Sequence, residues 1–148
     1  MPQTTAFMLT NPISLGVMRR SDTWGAGRFG ASRGRRQHNG ADIVARLGQE
    51  VLSPIDGRIL RMSYPYASDT SLTGVMIEGV GRHIGMEVKI FYMTPMPGMV
   101  GQSVKAGEKI GLAQSLLSKY PGITNHIHLE VRQNGIVVDP QSLIPNLH

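Results

Sequence analysis

The chain has 148 residues, no cysteine, a net charge of +5 and a sequence pI near 10.0. That length suits one domain with a core of useful size, and the missing cysteine excludes a disulfide framework, a thiolate metal ligand and a thiol nucleophile. The charge is lopsided: six arginines face a single acid, Asp22, in the first 36 residues while the remainder balances, so any pull on an anionic polymer belongs to that segment.

Residues 1–26 read as an extension, with Phe7-Met8-Leu9 and Ile13-Ser14-Leu15 as apolar runs suited to an edge strand or a partner. Met1 to Thr5 show no basic region leading into an apolar core, and no stretch is long enough to span a bilayer. A phage tail or virion is therefore the expected setting, with cytoplasmic synthesis and later release to the envelope as the other route. Trp24 and Phe29 are the only aromatics among the early arginines, and no helix-turn-helix or ribonucleoprotein motif accompanies them, which argues against nucleic acid.

The main domain is expected over 27–148. Gly34 and Gly40 argue against a helix around His38, and Ile43-Val44 favours a strand entered from a loop. Val51 to Pro54 and Gly57 to Leu60 read as strands around a turn at Ile55-Asp56, followed by a long loop from Tyr64 to Gly74 rich in Ser, Thr and Asp. Val75 to Gly79 and Met86 to Tyr92 read as paired strands, and alternation puts Met86, Val88, Ile90 and Tyr92 on one face, with Thr94 next on the same count. His83 falls in the intervening turn and reads as a surface histidine. Met93, Met96 and Met99 have a spacing of three that gives no strand face, so loop packing or an interface suits them better than soft-metal binding. A short helical turn is expected over Gln114 to Ser118, and His126 to Val131 alternates as a strand.

Three of the five histidines fall in two motifs, His38-Asn39-Gly40-Ala41-Asp42 and His126-Ile127-His128. Residues two apart on a strand face the same side, so His126 and His128 point into one space; His38 and Asp42, four apart, share a face once the chain is extended. Zinc enzymes use three N/O ligands and leave a fourth position to a water acidified to a pKa of about 7. The two motifs together thus suggest metal-assisted hydrolysis, with one histidine of the His-x-His pair free to move protons.

The residues from about Gly27 to Pro140 resemble the lysostaphin-like zinc endopeptidases of the beta-lytic metallopeptidase type, which cut peptide cross-links in bacterial peptidoglycan. The matching stretches run in order: His38 to Ile43, Val51 to Ile59, Val104 to Gly111, Asn125 to Val131 and Val138-Asp139-Pro140. Phe91 to Pro95 and Lys119 to Ile123 are most similar to the leukocyte-derived chemotaxin branch. The resemblance implies a mainly β, single compact antiparallel sheet or sandwich domain with long loops around a zinc groove. It implies His38, Asp42 and His128 as Zn²⁺ ligands and His126 as a catalytic histidine. Where these peptidases carry Tyr-x-His, this chain has Tyr92-Met93-Thr94, so Thr94 stands in for a second catalytic histidine. A hydroxyl carries no positive charge near neutral pH, and losing such a group typically removes about 10²–10⁴-fold in rate. The expected function is peptidoglycan endopeptidase, with a catalytically inactive zinc-binding attachment or structural protein as the alternative. The expected partners are peptidoglycan or another anionic envelope polymer, contacted by Arg28, Arg33, Arg35 and Arg36, and other phage tail or baseplate proteins.

Overall fold

The computed structural model describes residues 8–33 and 36–148, the side chain of Arg36 excepted; Phe7 and Arg35 lie outside the described residues. Among the described residues twelve strands run in chain order: β1 (Ser32–Arg33), β2 (Arg36–Gln37), β3 (Ala41–Val44), β4 (Glu50–Leu52), β5 (Gly57–Ser63), β6 (Gly74–Gly79), β7 (Met86–Phe91), β8 (Met93–Pro95), β9 (Ser103–Val104), β10 (Lys109–Ala113), β11 (His126–Gln133) and β12 (Ile136–Val138). The largest sheet has the order β12-β11-β7-β6-β5-β9 with β3 also on β11, a second has the order β4-β10-β8, and β1 pairs with β2. All the pairings are antiparallel, as the resemblance implied. The short strands expected around Ile55-Asp56 exist but join different sheets, β4 with β10 and β5 with β6.

Period-two patterning explains which face holds the core. Ile59, Val75, Ile77, Val88, Ile90, Ile127, Leu129 and Val131 of the large sheet are buried together with Val51, Met93, Ile110 and Ala113 of the three-stranded one, so the apolar layer lies between the two sheets. Leu9, Ile13 and Met18, from the segment expected to be an extension, belong to the same cluster. Leu15 points out at 95% exposure. Segment 17–19 runs beside β3: Met18 bridges Ile43, the Val44 amide donates to the Val17 carbonyl, and the Arg19 amide donates to the Asp42 carbonyl. Strand β3 is thereby held between this segment and β11.

The chain leaves the large sheet at Tyr92, whose φ is +70°, a value that bulky residues adopt only where the surroundings impose it. The carbonyl of Thr73 accepts from both the Tyr92 and Met93 amides, and the Tyr92 carbonyl accepts from Gln114. This corner passes the chain from β7 to β8. Gln114 to Ser118 is loop and turn rather than helix, with the Leu116 carbonyl accepting from the Lys119 and Tyr120 amides. No helix among the described residues is long and apolar enough to cross a membrane.

Candidate metal centre

The face of β11 away from the core carries His126, His128 and Glu130, and the register sets His128 opposite both Asp42 on β3 and Phe91 on β7. His38, in the loop before β3, completes the group. His128 Nδ1 lies 2.8 Å from Asp42 Oδ1 and 3.0 Å from His38 Nε2, and His38 Nε2 lies 3.2 Å from Asp42 Oδ1. Tetrahedral Zn²⁺ with bonds of about 2.0–2.1 Å spaces its ligand atoms about 3.3 Å apart, so the three atoms fit one such ion with small outward shifts.

Gly40 makes the approach possible. A Cβ there would stand 3.0 Å from His128 Cε1 and Nε2 and would collide with the Leu129 carbonyl. Only a residue without a side chain lets β3 lie this close to β11.

Each ligand group is held by the atom it does not offer. His38 Nδ1 lies 3.0 Å from the Arg28 carbonyl, and since a carbonyl only accepts, Nδ1 carries the proton and Nε2 is free. His128 Nε2 donates to Glu130 Oε2 at 3.0 Å. Asp42 Oδ2 accepts from Arg19 Nη1 at 2.9 Å, from a guanidinium that is only 3% exposed. Such outer contacts fix the tautomer and orientation of metal ligands.

The electrostatics agree with the geometry. Burial works to raise the Asp42 carboxyl, but the hydrogen bond from His128 and the positive charge of that ring hold it far below the usual carboxylate range. Burial works to lower His128, yet Asp42 and Glu130 lift it to about 9, so without metal its ring is an imidazolium bridging two carboxylates. The hydrogen bond to His128 depresses Glu130 in turn.

His126 differs. Its Nδ1 donates to the Thr124 carbonyl at 2.7 Å, leaving Nε2 with a bare lone pair 3.4 Å from Asp42 Oδ2. Burial pushes the ring below the ordinary imidazole range, so His126 is a neutral base aimed into the site.

A cavity of about 440 Å³ opens over these groups. Its far side is aromatic: the Tyr66 hydroxyl bonds to those of Tyr92, at 3.0 Å, and Tyr120. Trp24 packs edge-on against Tyr120 with centroids 5.0 Å apart. The Tyr92 ring meets His126 edge-on at 5.5 Å. Burial, chiefly, pushes all three phenols up to about 12, so they are neutral hydrogen-bonding groups.

Thr94 does not join this site. Because the Tyr92 corner breaks the alternation, Met93 turns into the core and Thr94, paired with Leu112 of β10, faces outward. It lines a separate cavity of about 560 Å³ with Leu72, Gln114 and Lys119. His83 is also corrected: it is fully buried, its Nδ1 accepting from the Asp56 amide and its Nε2 donating to the Met8 carbonyl. Arg28 is exposed, and Arg33 folds onto the Ala26 carbonyl at 2.7 Å beside the cavity.

Residues 36–140 match peptidase family M23. The chain belongs to that family. Mouse leukocyte cell-derived chemotaxin-2 is 35% identical to this M23 chain over 114 residues, 76% of the chain and 72% of the relative. Among solved structures, Helicobacter pylori Csd3 superposes with a TM-score of 0.67 at 24% identity and covers 95% of the M23 chain, which spans 34% of that protein. Lysostaphin superposes with a TM-score of 0.65 at 19% identity over 88% of the chain, which spans 51% of lysostaphin. These two likenesses establish the fold.

Sequence reasoning missed Arg19, Glu130 and the tyrosines as parts of the site. Glu130 was within reach, since it shares the β11 face of His126 and His128 by the same alternation.

Proposed function

We propose that this M23 protein is a zinc-dependent endopeptidase acting on the peptide cross-links of bacterial peptidoglycan. The observation that carries it is the arrangement of His38 Nε2, Asp42 Oδ1 and His128 Nδ1, mutually 2.8–3.2 Å apart with each partner atom already engaged. Zn²⁺ in such a site supplies Lewis acidity toward a scissile carbonyl and acidifies water to a pKa of about 7. His126 Nε2 takes the proton released in the attack and returns it to the leaving amine, while the Nδ1 bond to Thr124 keeps the ring in that tautomer. The tyrosines and Trp24 form an aromatic side of the cavity along which an extended substrate would lie.

Digestion of purified peptidoglycan by zinc-loaded protein, with mass spectrometry of released peptides, tests the reading. Release by wild type and none by His128→Ala or by metal-free protein supports it and identifies the bond. A specific observation favours a second reading, a non-catalytic zinc protein used for attachment: among the described residues His126 is the one histidine beside the three ligand groups in the cavity lining. Stoichiometric zinc with no peptide release selects that reading. For setting, we propose a phage tail or virion, with exposed Arg28 and neighbouring arginines contacting an anionic envelope polymer; detection of the protein in purified particles tests this.

A further inference from the structure

The grip on Asp42 comes from outside the residues that match the family. Arg19 lies 23 residues before Asp42, yet the register of segment 17–19 on β3 puts it directly behind the carboxylate. Its remaining nitrogens are anchored: Nε and Nη2 fork onto Asp22 at 3.1 and 2.8 Å, and such a fork fixes the guanidinium plane as a lysine ammonium does not. Asp22 also accepts from the Trp24 amide at 2.8 Å and the Thr124 amide at 3.0 Å, and the Thr124 carbonyl holds His126. The hydrogen bonds thus form a chain from Asp42 through Arg19, Asp22 and Thr124 to His126, whose Nε2 lies 3.4 Å from Asp42 Oδ2.

A carboxylate binds a divalent cation through one oxygen or both. At a site with three protein ligands, chelation by both Asp42 oxygens would fill a position that a hydrolytic centre keeps open. We propose that Arg19, anchored by Asp22, is a positioning residue that restricts Asp42 to ligation through Oδ1 and so sets the coordination number of the bound metal. This rests on reading the His38–Asp42–His128 group as a metal centre. Asp22 has a second role in it: its charge offsets that of Arg19, which leaves Arg33, with Nη2 3.8 Å from Oδ2, as the uncompensated cation behind the carboxylate. A buried ion pair alone is a weak source of stability, whereas an Oδ2 engaged by Arg19 while Oδ1 faces His38 and His128 is the arrangement that single-oxygen ligation requires.

The test uses the full chain loaded with cobalt(II), whose visible d–d bands are intense in four-coordinate sites and weaken as coordination number rises. Wild type should show intense bands. The charge-balanced double variant Arg19→Met with Asp22→Asn should lose band intensity and bind zinc 10–100-fold more weakly in a chelator competition, the range typical for lost outer contacts. Arg19→Lys, which keeps the charge without the fork, should fall between. Asp22→Asn alone, which leaves the Arg19–Asp42 contact in place and removes its anchor, shifts the bands in the same direction and serves if the double variant does not fold. Wild-type bands and wild-type affinity in a folded variant overturn the inference while leaving the metal centre intact. Failure of wild type to take up cobalt or zinc overturns both.

Discussion

Replacing Gly40 by alanine should disrupt the metal centre from the outside. The new Cβ would lie 3.0 Å from two His128 ring atoms and in collision with the Leu129 carbonyl. The ring can tilt, but Leu129 is fixed in register with Ala41, so β3 and β11 must part by roughly 1 Å at this point. That separation acts directly on the 2.8 Å Asp42–His128 contact. Overpacking of this kind costs about 1–3 kcal/mol, or a drop in Tm of about 2–10 °C for a chain of this size, and zinc affinity should fall by about 10–100-fold with the ligand geometry. Gly48→Ala is the control. Gly48 has φ of +83° and open space around its Cβ position, so alanine there costs about 1–2 kcal/mol of backbone strain without touching the site. Thermal unfolding and chelator competition on both variants separate the two effects. Wild-type zinc affinity in folded Gly40→Ala would refute the argument that this glycine sets the strand spacing the ligands need.

Three further outcomes are expected. In metal-free protein, His128 at about 9 lies above the ordinary 6.5, so its contribution to stability is complete below pH 6.5 and is lost as pH rises through 9; it amounts to up to about 3 kcal/mol. Tm scans from pH 7 to 9.5 should therefore decline in chelator and flatten with zinc, which takes the place of the proton. Thr94→His should leave peptide release unchanged, whereas Tyr92→His should raise it, by as much as about 10²–10⁴-fold if proton transfer limits the rate; a gain from Thr94→His would contradict the Tyr92 corner. Ile13→Ala should cost about 2–5 kcal/mol, measured by urea unfolding, because this 1% exposed side chain lies in the shared core.

The legible part of the site is the part made by short-range pattern. His126, His128 and Asp42 alternate on strands whose apolar partners Ile127, Leu129 and Ile43 face the core, and that alternation is visible in the residues themselves. The β fold was legible for the same reason. Thr94 was misplaced because counting by two assumes an unbroken strand, and the positive φ at Tyr92 arises from Thr73 and Gln114, far away in sequence. Arg19, Tyr66 and Tyr120 reach the cavity through the packing of distant loops, to which local spacing is blind. His83 looked like a turn residue and is one, but its burial depends on Met8 and Asp56 closing over it.

The cross-strand pairing of Asp42 with His128 has a consequence for biogenesis. The two residues are 86 positions apart, so a growing chain displays His38 and Asp42 long before β11 exists, and those two groups alone make a poor trap for a cation. A metal held by all three groups would be captured only after β11 has been synthesised and has paired with β3 and β7. Loading would therefore be a late event in the life of each molecule.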